Sequence, residues 1–83
     1  MIQKFFDVST IHMPTRGAYK QLDCIIADYE QGIFLWIPMD DELELQPKWF
    51  YDICKLATAN GCGYIRLDAD GHVHEMSLKT YNW

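Results

Sequence analysis

The feature that most constrains the fold is an unbroken apolar run, Ile33 to Ile37, which is bounded by Gly32 and Pro38. The run does not alternate apolar with polar side chains, so a strand formed by it is apolar on both faces. Such a strand is typical of the interior of a sheet that is covered, at least in part, on both sides. Pro38 cannot donate to a strand ladder and is expected to end the strand.

Three other segments complete the predicted sheet. Phe5 to Val8 alternates and reads as a first strand, and Tyr64 to Asp68 alternates with Ile65 and Leu67 facing inward. The segment Ala69 to Gly71 is a turn signal, because glycine accepts a positive φ angle. His72 to Met76 is then predicted as the returning strand of a hairpin.

Two segments show helical periodicity. The first precedes Gly32, a residue suited to a helix C-terminus, and its apolar stripe consists of Ala18, Leu22, Ile25, Ile26 and Tyr29. The second begins near Pro47 and stops at Asn60-Gly61, and its apolar face consists of Trp49, Phe50, Ile53, Cys54, Leu56 and Ala57. Each helix has a single apolar stripe that must be buried against the sheet.

The predicted element order is therefore β-α-β-α-β-β. A chain of 83 residues is long enough for one core, so residues 1–83 are expected to form a single small domain. These elements predict an α/β (α+β) two-layer sandwich, in which a mixed four-stranded sheet carries both helices on one face.

The face of the sheet away from the helices is predicted to carry aromatic side chains. It would carry Phe5, Phe34 or Trp36, and Tyr64, with His74 as a further candidate. An uncovered aromatic patch of this kind often marks an interaction surface on a small protein. The alternative is that the N-terminus or a C-terminal aromatic residue, Tyr81 or Trp83, folds over it.

Negative charge is concentrated in the middle of the chain. Of the net charge of −5, residues 1–22 contribute +2, residues 23–47 contribute −7 without any Lys or Arg, and residues 48–83 contribute zero. Such a field repels phosphates and attracts basic surfaces, which disfavours direct nucleic-acid binding and favours a basic protein partner. A solvated loop is the simpler alternative. The candidate partner-binding residues are Asp28, Glu30, Asp40, Asp41, Glu42 and Glu44, together with Trp36 and Tyr64.

Candidate chemistry is sparse. On the predicted hairpin strand His72 and His74 share a face, so a metal-dependent enzyme with Asp70 or His12 as further ligands is one alternative. Two histidines without a clear third and fourth ligand are a weak signal, and exposed hairpin histidines are the simpler interpretation. We expect no catalytic residues, no metal and no cofactor.

Compartment signals favour the cytoplasm. Three cysteines are an odd number without metal-site spacing, which favours a reduced, cytosolic compartment. No secretion signal is visible at the N-terminus. The longest apolar run is far shorter than the roughly 20 residues of a membrane-spanning helix.

Three segments carry a resemblance to a known family. They are Phe6 to His12 (FDVSTIH), Ala59 to Gly71 (ANGCGYIRLDADG) and Thr80 to Trp83 (TYNW). Together they resemble a family of small uncharacterised proteins, a domain of unknown function, from conjugative plasmids, integrative elements and prophages of proteobacteria. No catalytic residue comes with this resemblance.

What the resemblance implies is a biological context. Small acidic proteins on mobile elements often disable host defence by binding a CRISPR effector or a restriction enzyme, sometimes where DNA phosphates would sit. This predicts a non-enzymatic inhibitor of the anti-CRISPR or anti-restriction type, whose carboxylates occupy a basic DNA channel. The alternative is a homodimeric interaction or regulatory module that uses the aromatic outer sheet face.

Overall fold

A computed structural model describes residues 5–15 and 17–81, and at residues 21 and 40 the backbone alone. The four strands are β1 (Phe5–Ser9), β2 (Ile25–Tyr29), β3 (Gly32–Trp36) and β4 (Tyr64–Asp68). The α-helices are α1 (Asp40–Leu43) and α2 (Lys48–Ala59), and two short 3₁₀ helices cover Thr10–His12 and Ala18–Gln21.

The four strands form one mixed sheet in the order β1-β4-β3-β2. The β1 and β4 strands are parallel, whereas the other two pairs are antiparallel. The predicted fold class is confirmed: the molecule is a small two-layer α+β protein with a mixed four-stranded sheet and two helices. The interior position predicted for the apolar run is also confirmed, because β3 pairs with a neighbour on each side.

The core lies between the sheet and α2. Alternate side chains of β1, β3 and β4 point toward the helix, and they are Phe6, Val8, Ile33, Leu35, Ile65 and Leu67. The helix contributes Phe50, Ile53, Cys54 and Ala57, all fully buried. The helix begins at Lys48, directly after Pro47, and is followed by Asn60 and by Gly61 with a φ of 74°. The predicted stop at Asn60-Gly61 is therefore confirmed, whereas Pro47, predicted at the first helical position, lies one residue earlier, at the N-cap.

The helix predicted before Gly32 is wrong. Its N-terminal part is the 3₁₀ helix Ala18–Gln21, and its C-terminal part is the strand β2, which pairs antiparallel with β3. Apolar residues in this segment fit a helical stripe, but the ladder with β3 satisfies the inner backbone groups of β2, and this tertiary pairing overrides the local period. Gly32 consequently begins β3 rather than ending a helix.

The returning strand predicted over His72 to Met76 is also wrong. Because β4 already pairs with β1 and with β3, it has no free edge for a hairpin partner. The chain instead follows β1, where the Ser9 backbone N–H donates to the His72 carbonyl oxygen at 2.9 Å. Gly71 allows this close approach, since a Cβ atom there would overlap the Val8 carbonyl group.

The element order is thus β-β-β-α-α-β, with 3₁₀ turns between the first two strands. The acidic stretch expected to be a loop contains the short helix α1. Among the described residues, no helix has both the length and the hydropathy that a membrane crossing requires.

Candidate functional site

An open groove of about 760 Å³ lies at the end of the sheet where β3 meets α1. We call it the Trp36 groove, and its lining residues are Asp23, Cys24, Trp36, Pro38, Glu42, Leu45, Gln46 and Pro47. The Trp36 backbone N–H donates to the Cys24 carbonyl oxygen at 3.1 Å. This bond ties the end of β3 to the segment that leads into β2, and Asp23 and Trp36 line the same groove.

The wall formed by α1 is held in place by backbone bonds and by one buried side chain. Leu43 is 6% exposed and belongs to the core, and its backbone N–H donates to the Met39 carbonyl oxygen at 2.7 Å. Gln46 Nε2 donates to the Glu42 carbonyl oxygen at 3.1 Å. With Leu43 turned inward, the chain leaves Met39 and Leu45 exposed, at 77% and 84%.

The groove is electrostatically one-sided. It contains the carboxylates of Asp23 and Glu42, and no Lys or Arg is among its lining residues. Burial raises the pKa of the Cys24 thiol to about 11, and the charge of Asp23 adds to that rise. Cys24 is therefore a neutral thiol at neutral pH, which makes it a poor nucleophile.

The predicted acidic residues divide into two groups. Glu42 lines the Trp36 groove, and Asp41 and Glu44 are exposed beside it. Asp28 and Glu30 lie near the β2–β3 turn, where they line a second groove. The strand β3 separates the two groups by four steps of about 3.3 Å, or roughly 13 Å. The carboxylates therefore do not form one continuous surface, and the side chain of Asp40 lies outside the described part.

None of the predicted partner-binding carboxylates that the structure describes is part of an ion pair, although Lys20 lines the second groove together with Asp28 and Glu30. Within residues 5–15 and 17–81, ion pairs join Lys48 to Asp52 and Arg66 to Asp7. Neither pair involves a predicted partner-binding carboxylate. At the Trp36 groove, Asp23 and Glu42 therefore have no described cationic lining residue beside them, whereas Asp28 and Glu30 share their groove with Lys20.

The aromatic outer sheet face is present. Phe5 is 52% exposed, and its ring centroid lies 4.8 Å from that of Phe34 and 5.5 Å from that of Tyr64. Trp36 faces Tyr64 across the β3–β4 ladder and is 42% exposed, so it belongs both to this face and to the groove. The prediction that His74 joins this face is wrong, because its ring stacks on the inward-facing Phe6 at 4.7 Å.

Two polar contacts complete the outer face. Arg66 donates from Nε to Asp7 Oδ1 at 2.8 Å, and this bond raises the pKa of the guanidinium. The Tyr29 hydroxyl donates to Asp68 Oδ2 at 2.5 Å. That hydrogen bond, with one from the Asp70 backbone N–H, lowers the pKa of Asp68. Burial first, and then the bond to Asp68, raises the pKa of Tyr29 to about 12.

The histidines form a structural network rather than a metal centre. His12 is 2% exposed, its Nδ1 lies 2.8 Å from the Lys79 carbonyl oxygen, and its Nε2 accepts the His74 backbone N–H at 2.9 Å. His74 Nε2 lies 2.9 Å from the Asp7 carbonyl oxygen. In the described part of the chain, no three His, Cys, Asp or Glu side chains are grouped to hold a metal ion. The ligand set that the metal-enzyme alternative needs is therefore missing there.

A second cysteine, Cys54, also has a raised thiol pKa. Cys54 is fully buried in the core, as predicted. Burial raises the pKa of the Cys54 thiol to about 12, so the thiolate form is rare at neutral pH.

Comparison of the chain with protein-family models, with curated proteins and with solved structures gives no match. The resemblance to proteins of mobile elements therefore stays a prediction.

Of the eight residues that line the groove, the sequence patterns predict Trp36 and Glu42 and do not indicate the other six, which include Asp23 and Leu45. Asp23 carries no such signal because the apolar spacing around it predicts a helix, whereas the structure places it just before β2, where it lines the groove. Leu45 alone does not indicate a surface contact, because single exposed leucines are common on proteins. A signal was available for Leu45, since Leu43 and Leu45 flank Glu44 and only one of the two can face the core.

Proposed function

We propose that this chain is a non-enzymatic binding protein that docks on a basic surface of another protein through the Trp36 groove. The observation that carries the proposal is the juxtaposition of an exposed indole with two carboxylates in a groove without cationic lining residues. Aromatic residues are enriched at interface centres, and complementary charge speeds association. Exposed Leu45 adds an apolar contact at the rim.

The partner proposed is a bacterial defence nuclease complex, of the CRISPR-effector or restriction type. The resemblance to proteins of mobile elements supports this choice, and the net charge of −5 fits partners whose surfaces are built to hold DNA. Such a protein would act in the cytoplasm. In the mimicry version of the proposal, the carboxylates occupy part of a basic DNA channel.

Phage plating tests the proposed function. The chain is expressed in strains that each carry one defined CRISPR or restriction system, and plating of a targeted phage is compared with an empty-vector strain. The chain is expected to protect the phage in at least one strain, by blocking the defence system which that strain carries. Normal plating on the same strains without the defence system is the control, and absence of protection across the panel contradicts the proposal.

DNA competition tests the mimicry version. With the effector identified by plating, target DNA and this chain are expected to exclude each other, and the affinity of the chain is expected to fall steeply with added salt. A ternary complex of effector, DNA and chain would contradict mimicry while leaving the binding function intact.

A second candidate is a homodimeric interaction module. The exposed ring of Phe5, clustered with Phe34 and Tyr64 on the outer face, favours it. Sedimentation of the purified chain tests this candidate, with Phe5→Ser as the variant that should dissociate a dimer. A monomer for the unmodified chain at high micromolar concentration contradicts it.

A further inference from the structure

We infer that the Trp36 groove receives an arginine side chain of the partner, flanked in the partner by an apolar residue. This inference rests on the proposed docking function and names the contact residue. A preference for arginine would distinguish the groove from a diffuse acidic surface, which attracts lysine and arginine alike.

The charge of the groove favours a cationic occupant. Asp23 and Glu42 both line it, and neither carboxylate is part of an ion pair within the described residues. The Lys48 ammonium, which follows the lining residue Pro47, lies 3.1 Å from Asp52 Oδ2. The Lys48 side chain is thus paired with a residue of its own helix, and it is not among the residues that line the groove.

The indole of Trp36 favours arginine over lysine. A guanidinium is planar and weakly hydrated, so it stacks on an aromatic face while its N–H groups reach carboxylates in a fixed fork. A lysine ammonium is a compact, strongly hydrated charge that makes one such contact at a time. The groove combines Trp36, which is 42% exposed, with two acidic lining residues from different segments, Asp23 before β2 and Glu42 on α1.

The rim of the groove favours an apolar neighbour to that arginine. Leu45 is 84% exposed although it lines the groove, and half-buried Pro47 adds apolar surface. A partner side chain such as leucine would remove this surface from water when the arginine enters. The wall is already ordered, because Leu43 is buried and Gln46 is bonded to the Glu42 carbonyl group, so little ordering cost accompanies binding.

A peptide titration of the full chain tests the inference. The probes are acetyl-Ala-Leu-Arg-Ala-amide and the same peptide with lysine or citrulline in place of arginine, followed by ¹H–¹⁵N NMR. The arginine peptide is expected to shift the Trp36 indole N–H and the Glu42 amide, with an affinity roughly threefold or more above that of the lysine peptide. Citrulline, which is planar but uncharged, should give no shift.

Matched variants locate the site. Asp23→Asn with Glu42→Gln is expected to abolish the shifts, whereas Asp28→Asn with Glu30→Gln, which changes the net charge equally, is expected to preserve them. All four side chains are exposed, and well-dispersed spectra confirm that both variants fold. Equal affinity for arginine and lysine, or no shift with any peptide, or shifts centred on Asp28 and Glu30, would overturn the inference.

The two proposals fail separately. Phage protection without an arginine preference would reject the arginine contact and keep the proposed function. An arginine-selective groove without protection in any strain would reject the defence partner and keep the contact.

Discussion

The Tyr29 hydroxyl donates a 2.5 Å hydrogen bond to Asp68 Oδ2 and thereby joins the edge strand β2 to the central strand β4. Between them lies Gly32, which pairs with Tyr29 on one side and with Asp68 on the other. The absence of a side chain at that position leaves the outer face open for the tyrosine to span. The bond anchors a hairpin whose outer edge is unpaired within the described sheet.

The Tyr29–Asp68 bond predicts a specific loss of stability in acid. The folded-state pKa of Asp68 lies below its ordinary value, so its stabilising contribution is present above the unfolded-state pKa and disappears as the pH falls through the folded-state pKa. Tyr29→Phe removes the largest cause of the lowered pKa. The variant is expected to be less stable at pH 7 and to lose less stability between about pH 5 and pH 3.

Urea unfolding at several pH values measures this effect. Tyr51→Phe is the matched control, because the Tyr51 ring lies 5.9 Å from Lys55 Nζ and no hydrogen bond joins it to Asp68. A Tyr29→Phe stability curve parallel to that of the unmodified chain across this range would show that the bond does not set the pKa of Asp68.

Gly32 is expected to tolerate no side chain. A Cβ atom there would overlap the Leu67 carbonyl oxygen and lie 2.8 Å from the Asp68 Cα atom, both in the backbone of β4. Gly32→Ala should therefore cost about 2–3 kcal/mol of unfolding free energy through strain in the β3–β4 ladder. Gly63→Ala, where a Cβ meets nothing within 4 Å, should change it by less than about 0.5 kcal/mol. Similar losses for both variants would contradict the close packing.

His12 is expected to hold the C-terminal segment against the domain. His12→Ala leaves the His74 N–H and the Lys79 carbonyl group without their partner and opens a cavity, at an expected cost of about 2–4 kcal/mol. Hydrogen exchange should accelerate first in residues 72–81. Glu75→Ala removes an exposed side chain of the same segment and serves as control, with a change below about 0.5 kcal/mol. Unchanged exchange in that segment for His12→Ala would refute this role.

The sequence patterns predicted those elements that have one dominant period. Strands β3 and β4 and helix α2 follow from an apolar run, an alternation and an amphipathic stripe. The segment that includes Ile25 and Tyr29 fits a helix by spacing, and its pairing with β3 depends on long-range contacts that the local sequence does not encode. The irregular course after Asp68 depends on sheet order, because β1 occupies the edge that a hairpin would need.

Only part of the candidate site follows from local sequence patterns. Trp36 and Glu42 follow from the end of an apolar strand and from the charge distribution, and the structure brings both to one groove. Asp28 and Glu30 carry the same charge but lie at the other end of β3, which only the hairpin geometry determines. Asp23 joins the groove through the backbone bond between Trp36 and Cys24, a contact with no sequence signature.

The most direct test of the docking account compares two charge-matched double variants in the phage plating assay. The groove variant is Asp23→Asn with Glu42→Gln, and the control is Asp28→Asn with Glu30→Gln at the opposite end of the sheet. The account predicts that the groove variant loses protection by roughly tenfold or more, whereas the control plates like the unmodified chain. Equal protection by both variants, at matched expression, would contradict the Trp36 groove as the docking surface.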